Sequence, residues 1–217
     1  MSSDPGPRRP RLLVTDVDST LITQEVIELL AARAGTYAEV AALTEAAMRG
    51  ELDFAQSLAA RVATLEGLPV SVLADVGAQL ELSLGARELV STLQAEGWHI
   101  ALVSGGFEEI VAPLAASLGI TLFRANRLEI ADGVLTGRTT GPVIDKAAKA
   151  QALREFAAAV GADLEDTVAI GDGANDLDML HAAGLGIAFN AKPLVQEAAD
   201  VAIASNRLDD ALQLIER

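Results

Sequence analysis

Six short apolar runs, at residues 12–15, 100–103, 121–123, 168–170, 186–188 and 201–203, constrain the fold more than any other feature of the chain. They are too short for helices, and most are followed by longer stretches of helical character, as at 107–118, 146–160 and 175–182. A strand that is apolar at successive positions is covered on both faces, and repeated strand-then-helix order is the signature of a parallel sheet. The expectation is an α/β fold: a Rossmann-like parallel sheet with helices on both faces.

Two segments break that order. Residues 24–79 contain no convincing strand and are divided by Gly35, Gly50 and the Gly67-Leu68-Pro69 turn into about four short helices. This predicts a small helical cap, residues 23–79, inserted after the first strand, with residues 11–22 and 80–217 forming the core. The second break, at 127–138, places Asp132-Gly133 between two apolar runs and predicts a hairpin. Residues 1–10 read as a loose arm, and no internal repeat or low-complexity segment is present.

Composition narrows the function. With 31 acidic and 16 basic side chains the net charge is −15, which repels nucleic acid and anionic membranes at long range. No cysteine is present, so disulfides, thiolate metal sites and cysteine nucleophiles are excluded, a composition that suits a reducing cytoplasm. No apolar run approaches the roughly 18 residues of a membrane span, and the start, MSSDPGPRRPR, has no signal-type apolar core. A nucleic-acid or membrane partner is therefore not expected, and a monomer or a homodimer is equally compatible with this composition.

Polar residues gather directly after the runs, where open parallel sheets bind ligands. Asp16-Val17-Asp18-Ser19-Thr20 follows the first; two carboxylates one residue apart can share attack and proton transfer, although Asp, Ser and Thr are also ordinary turn residues. Ser104-Gly105-Gly106-Phe107 follows the second; its glycines would let amides approach an anion at a helix N-terminus, or would simply form a loop with a Ser cap. Gly171-Asp172-Gly173-Ala174-Asn175-Asp176 follows the fourth. An EF-hand needs Gly at the sixth position and Glu at the twelfth, where this chain has Leu177 and Ala183. A magnesium site, needing only one or two carboxylates plus phosphate oxygens and water, fits better. Lys149 lies on the helix that starts near Asp145; taken alone it is a surface charge.

Taken together and in chain order, these motifs resemble the haloacid dehalogenase-like superfamily. From about residue 12 to 215 the chain is similar to its phosphoserine phosphatases, through DVDSTLITQEVIELLA (16–31), MRGELDFAQSLA (48–59) and DTVAIGDGANDLDMLHAAGLGIAFNA (166–191). Glu25, Met48, Phe54 and Arg61 carry the resemblance to that branch. Members often have a further regulatory domain; with only 15 residues before Asp16, regulation of that kind is not expected.

The resemblance implies a Mg2+-dependent phosphomonoester hydrolase acting through an aspartyl-phosphate. Asp16 would be the nucleophile, and Asp18 the acid that protonates the departing oxygen and then activates water. The Asp16 carboxylate, the Asp18 carbonyl and Asp172 would bind Mg2+, supported by Asp176. Ser104, the Gly105 amide, Lys149 and Asn175 would hold phosphoryl oxygens, with Lys146 a surface residue. Glu25 and Arg61 would pair with the ammonium and carboxylate of O-phospho-L-serine beside Met48 and Phe54; helix-cap and solvated-face roles for Glu25 and Arg61 are the plain alternatives. Phe54, Leu58 and Arg61 fall at i, i+4 and i+7, on one helix face. A phosphatase or phosphotransferase for phosphohomoserine or phosphoglycolate is the neighbouring reading, and a non-catalytic sensor a more distant one. His99 and His181 lie far from every motif and are expected to be structural.

Overall fold

The structure, a computed structural model, describes residues 10–49 and 51–215. The arm expected at residues 1–10 falls, but for Pro10, outside the described residues, as does Gly50.

Strand β1 (Leu12–Thr15) is wholly buried and lies at the centre of a seven-stranded sheet. On one side it pairs with β2 (His99–Phe107), which leads to β3 (Leu122–Ala131) and β4 (Val134–Thr140); on the other it pairs with β5 (Thr167–Gly171), then β6 (Leu185–Phe189) and β7 (Val201–Ile203). Every pairing is parallel except β3–β4. That pair is the expected hairpin, with Asp132 (φ 50) and Gly133 (φ 79) both left-handed in its two-residue turn, as the twist of a tight hairpin demands.

Alternation along the strands builds two cores. Leu13, Leu102, Val168 and Ile170 face one side, with Leu89, Val90 and Leu93 of α5 (Ala86–Ala95) and Ile110 and Val111 of α6 (Glu108–Ser117). Leu12, Val14, Val103 and Ala169 face the other, with Ala152, Leu153 and Phe156 of α7 (Lys146–Val160), Met179 and Leu180 of α8 (Leu177–Ala182) and Val195 of α9 (Pro193–Ala198). The chain closes with α10 (Ala211–Ile215).

Between β1 and β2 the chain forms α1 (Val26–Ala34), α2 (Tyr37–Met48), α3 (Phe54–Ala63) and α4 (Ser71–Gly77). The two crossings into this helical insertion lie side by side, through an antiparallel bridge between Ile22 and Leu82 and the bonds Thr23 N to Glu81 O and Ser83 N to Leu21 O, both 2.9 Å. Its far end is tied to the hairpin by Gly67 N to Leu135 O (2.9 Å), Val70 N to Gly133 O (2.9 Å) and Leu135 N to Leu68 O (2.8 Å).

Candidate active site

Parallel register decides what meets at the carboxyl edge of the sheet. Thr15 lies beside both Leu102 and Ile170, so Asp16, the turn after Val103 and the loop after Gly171 leave the sheet together, at the point where strand order reverses. The Asp16 amide donates to Ile170 O (2.9 Å), extending the ladder by one bond before the chain turns. Asp18 then points back: its Oδ1 accepts from Val26 N (2.8 Å), at the start of α1, and its Oδ2 from Ser104 Oγ (3.1 Å). Ser19 adopts φ 57, an uncommon conformation for a residue with a Cβ, and its hydroxyl donates to Glu25 Oε1.

Ser104, Gly105 and Gly106 precede a helix, as expected from sequence, but they remain within β2 instead of forming a loop, and Ser104 does not cap that helix. Val103 pairs with Arg124 and Phe107 with Asn126, so three residues of β2 stand opposite Ala125 alone, a wide irregularity inside the strand; α6 begins only at Glu108. The reason is tertiary: β3 continues past the irregularity and holds the segment extended. A Cβ on Gly106 would lie 2.6 Å from Asp18 Oδ2, and one on Gly105 2.8 Å from Phe54 Cζ; glycine at both lets the backbone approach the carboxylate and the insertion.

Lys149 is fully buried and donates to Asp16 Oδ1 (2.6 Å) and Asp176 Oδ1 (2.7 Å). Its place on α7 follows from the cap at Asp145, whose side chain accepts from Ala148 N (2.9 Å). Asp176 Oδ2 accepts from the amides of Asp172 (3.2 Å) and Gly173 (3.1 Å), which closes the loop on itself, while Asp172 Oδ1 accepts from Thr20 Oγ1 (3.1 Å).

The insertion roofs this edge. Asp16, Asp18, Glu25, Met48, Phe54, Leu58, Arg61, Gly105 and Asn175 line one cavity, whose space open to the centre of a water-sized molecule is only about 30 Å3. The insertion is thus closed down on the core. Phe54, Leu58 and Arg61 do share one face of α3, as their spacing predicts. Arg61 is 5% exposed; it donates to Ser57 O (3.2 Å) and Thr44 Oγ1 (3.1 Å), and its guanidinium lies 5.9 Å from the Phe54 ring centre. Among the described residues no carboxylate oxygen lies within 4.0 Å of it. Glu25 is the residue before α1, but its side chain bonds Ser19 rather than capping the helix.

Crowded negative charge dominates the electrostatics. Burial, then Asp176, pushes the Asp16 carboxyl up to about 7 against the pull of Lys149. Burial also raises Asp18, offset by its bonds from Val26 and Ser104, and raises Asp172, with Asp16 and Asp176 adding to the effect. Burial, then Asp18, pushes Glu25 up to about 8. For Lys149, burial lowers the pKa, but Asp16 and Asp176 outweigh it and hold the ammonium charged. Oxygens of Asp16, Asp172 and Asp176 lie within 4.8 Å of one another, all buried, with one lysine to offset them. Such an oxygen-only, over-negative donor set fits a hard divalent cation. Asn175 Oδ1, at the same edge, is buried without a protein partner among the described residues.

The twelve residues singled out from sequence therefore divide into eight that line the cavity and four (Ser104, Lys149, Asp172 and Asp176) that are buried around it. Lys146 is exposed, 4.0 Å from Asp178, and both histidines are exposed, His181 bonding Ala198 O (3.0 Å). Thr20, Thr44 and Asn126 escape a sequence reading. Thr20 had a signal in its place two residues past Asp18, within the same polar run; Thr44 and Asn126 gain their partners only through tertiary packing.

The family model described as haloacid dehalogenase-like hydrolase matches residues 13–181. A phosphoserine phosphatase of Mycobacterium tuberculosis is 58% identical over 96% of this chain, and one of Streptomyces coelicolor 59% over 96%. The chain spans about half the length of both, 51%, but 95% of a Streptococcus thermophilus phosphoserine phosphatase, 49% identical over 94% of this chain. Two solved structures superpose with a TM-score of 0.93: a phospho-aspartyl intermediate analogue of phosphoserine phosphatase, 41% identical and covering 95% of this chain and 99% of its own, and a substrate-bound phosphoserine phosphatase complex, 40% identical with 96% and 99% covered. By sequence match and by fold, the chain belongs to the haloacid dehalogenase-like hydrolase family.

Proposed function

We propose that the chain hydrolyses O-phospho-L-serine to L-serine and phosphate through a phosphoryl group carried on Asp16. One observation supports this reading above others. A single small cavity brings two buried carboxylates at the end of β1 together with a half-buried carboxylate, Glu25, and a buried guanidinium, Arg61, that has no carboxylate oxygen within 4.0 Å among the described residues. Phosphoserine carries a group to suit each: a phosphate, an ammonium and a carboxylate. Phosphoglycolate lacks the ammonium and would leave Glu25 unmatched.

Asp16 attacks phosphorus, and Asp18 delivers a proton to the serine oxygen as the P–O bond breaks, releasing L-serine. Asp18 then accepts a proton from water as that water attacks the phospho-aspartate, releasing phosphate and restoring Asp16. The Gly105 amide, Lys149 and Asn175 hold the phosphoryl oxygens, while the Ser104 hydroxyl gives its one proton to Asp18 Oδ2 and orients that carboxyl. Asp16, the Asp18 carbonyl and Asp172 would hold Mg2+, with Asp176 supporting the loop; when bound it supplies positive charge to the phosphoryl oxygens. Accelerations of phosphate monoester hydrolysis reach ~10²¹, about 29 kcal/mol, of which a general acid covers only roughly 3–5. Preorganised charge must supply much of the remainder.

In this reading residues 23–79 form a cap domain over a core of 11–22 and 80–217, and the step belongs to serine biosynthesis in the cytoplasm. No helix is long and apolar enough to cross a membrane among the described residues. The test is a panel of phosphoserine, phosphohomoserine, phosphoglycolate and an aryl phosphate, compared by kcat/KM with magnesium. Phosphoserine should lead; equal rates for phosphoglycolate would remove the assignment of substrate.

A further inference from the structure

Asn126 is 1% exposed, in the middle of β3 where its strand partner is Phe107. Its side chain makes two bonds, and each goes to a backbone group that the irregularity in β2 or the end of the hairpin would leave unpaired. Nδ2 donates to Gly105 O and Oδ1 accepts from Ile144 N, both 2.8 Å. Ile144 directly precedes Asp145, the cap of the helix that carries Lys149.

The carbonyl of Gly105 and the amide of Gly106 belong to one peptide plane, and in a trans peptide they point in opposite directions. Fixing the carbonyl therefore aims the amide. That amide donates to Ser104 Oγ (2.7 Å), which fills an acceptor site of the hydroxyl and sends its proton to Asp18 Oδ2 (3.1 Å). A directional chain runs from Asn126 through one peptide and one hydroxyl to the carboxyl that faces the leaving group.

Resting on the reading of Asp18 as the proton donor, we propose that Asn126 is a positioning residue for leaving-group protonation, acting through the Gly105–Gly106 peptide and Ser104. It touches no substrate. Without its Nδ2 donor the peptide is free to rotate, Ser104 loses its donor, and the Asp18 carboxyl loses one of the two bonds that orient it.

Leaving-group chemistry separates this role from a merely structural one. kcat/KM covers steps up to loss of the alcohol, so it is blind to later attack by water. An alkoxide needs its proton during P–O cleavage; a nitrophenolate does not. Asn126→Asp keeps the acceptor for Ile144 N and nearly the same volume but removes the donor. It should lower kcat/KM for phosphoserine and simple alkyl phosphates by ~10- to 100-fold, part of the ~10²–10⁴ that a general acid supplies, and for p-nitrophenyl phosphate by less than about 3-fold. Asn126→Ser is made alongside in case the buried carboxylate prevents folding. In a Ser104→Ala background the same substitutions should cost the alkyl esters less than about 3-fold, because the link is already cut. Equal losses on alkyl and aryl esters, or an undiminished loss in the Ser104→Ala background, would overturn the proposal. Simple alkyl phosphates carry neither ammonium nor carboxylate, so a failure of the phosphoserine assignment would show as no preference of the unsubstituted protein for phosphoserine over them. The leaving-group comparison would still stand.

Discussion

Arg61→Met is predicted to separate substrate recognition from both stability and phosphate chemistry. In the free protein the guanidinium is 5% exposed and, among the described residues, donates to the Ser57 carbonyl and the Thr44 hydroxyl. Bonds from a charged donor contribute about 1.5–3 kcal/mol each, against several kcal/mol to bury the ion. These nearly cancel, so folding stability should change by no more than about 2 kcal/mol, a Tm shift of roughly 4–8 °C at most for a chain of this size. Methionine fills the volume, so no cavity opens. With phosphoserine bound the balance differs, because the substrate carboxylate would be enclosed without a partner. Loss of one member of such a pair costs about 2–5 kcal/mol, or ~30-fold to several-thousand-fold in kcat/KM. An aryl phosphate has no carboxylate and should change by less than about 3-fold. Phosphate release measured on both esters, with thermal unfolding of the free protein, makes the check. Equal losses on the two esters would assign Arg61 to closure of the helical insertion, and no loss on either would refute carboxylate recognition by this residue.

Asp16→Asn should abolish turnover while the fold persists, since the amide is nearly isosteric but a poor nucleophile; borohydride trapping followed by peptide mapping should label Asp16 in the unsubstituted protein and no other residue. Chelation should stop turnover, magnesium should restore it, and calcium should restore it poorly because its larger, more flexible shell relaxes the geometry of attack; full activity in excess chelator would contradict this. In the metal-free protein the Asp16 carboxyl is raised from 3.8 to about 7, so its stabilising contribution is fully present below pH ~4 and lost as pH rises through 7. Magnesium bound by Asp16 would displace that proton, so its apparent affinity, followed by calorimetry, should climb up to about tenfold per pH unit below 7 and level off above. Gly106→Ala places a Cβ 2.6 Å from Asp18 Oδ2; it should lower kcat on phosphoserine by at least ~10-fold, part of the ~10²–10⁴ that a general acid supplies.

The sheet and the helical insertion were legible because their signals are local. LLVT is buried on every residue and reads as a central strand, Asp132-Gly133 needs the left-handed conformations it adopts, and Gly35 and Pro69 punctuate the helices. Helix α5 is absent from that reading although Leu89, Val90 and Leu93 lie on its buried face, a periodic signal that was available. The strand ends carried the motifs, so Asp16, Ser104 and Asp172 could be placed at one edge once the sheet was parallel. The rest depends on partners remote in sequence. Lys149 has the sequence surroundings of a surface residue, and only the packing of α7 against β1 buries it between two aspartates. Asn126 reads as an ordinary polar strand residue because the peptide it holds belongs to another strand.

The central place of β1 has a consequence for the order in which the molecule can be built. A ribosome delivers Asp16 and Asp18 first, yet their bonds to Ser104 and Lys149, and that of Thr20 to Asp172, span 86, 133 and 152 residues. Closing such long loops is slow, because their entropy is lost before the contacts form. The helices between Val26 and Gly77, in contrast, are contiguous in sequence and pack on one another, so they can collapse while β1 still lacks both neighbours. A nascent chain halted before residue 172 would have its roof and β1 but no finished floor, and hydrolysis should appear only once the chain has passed Asp176.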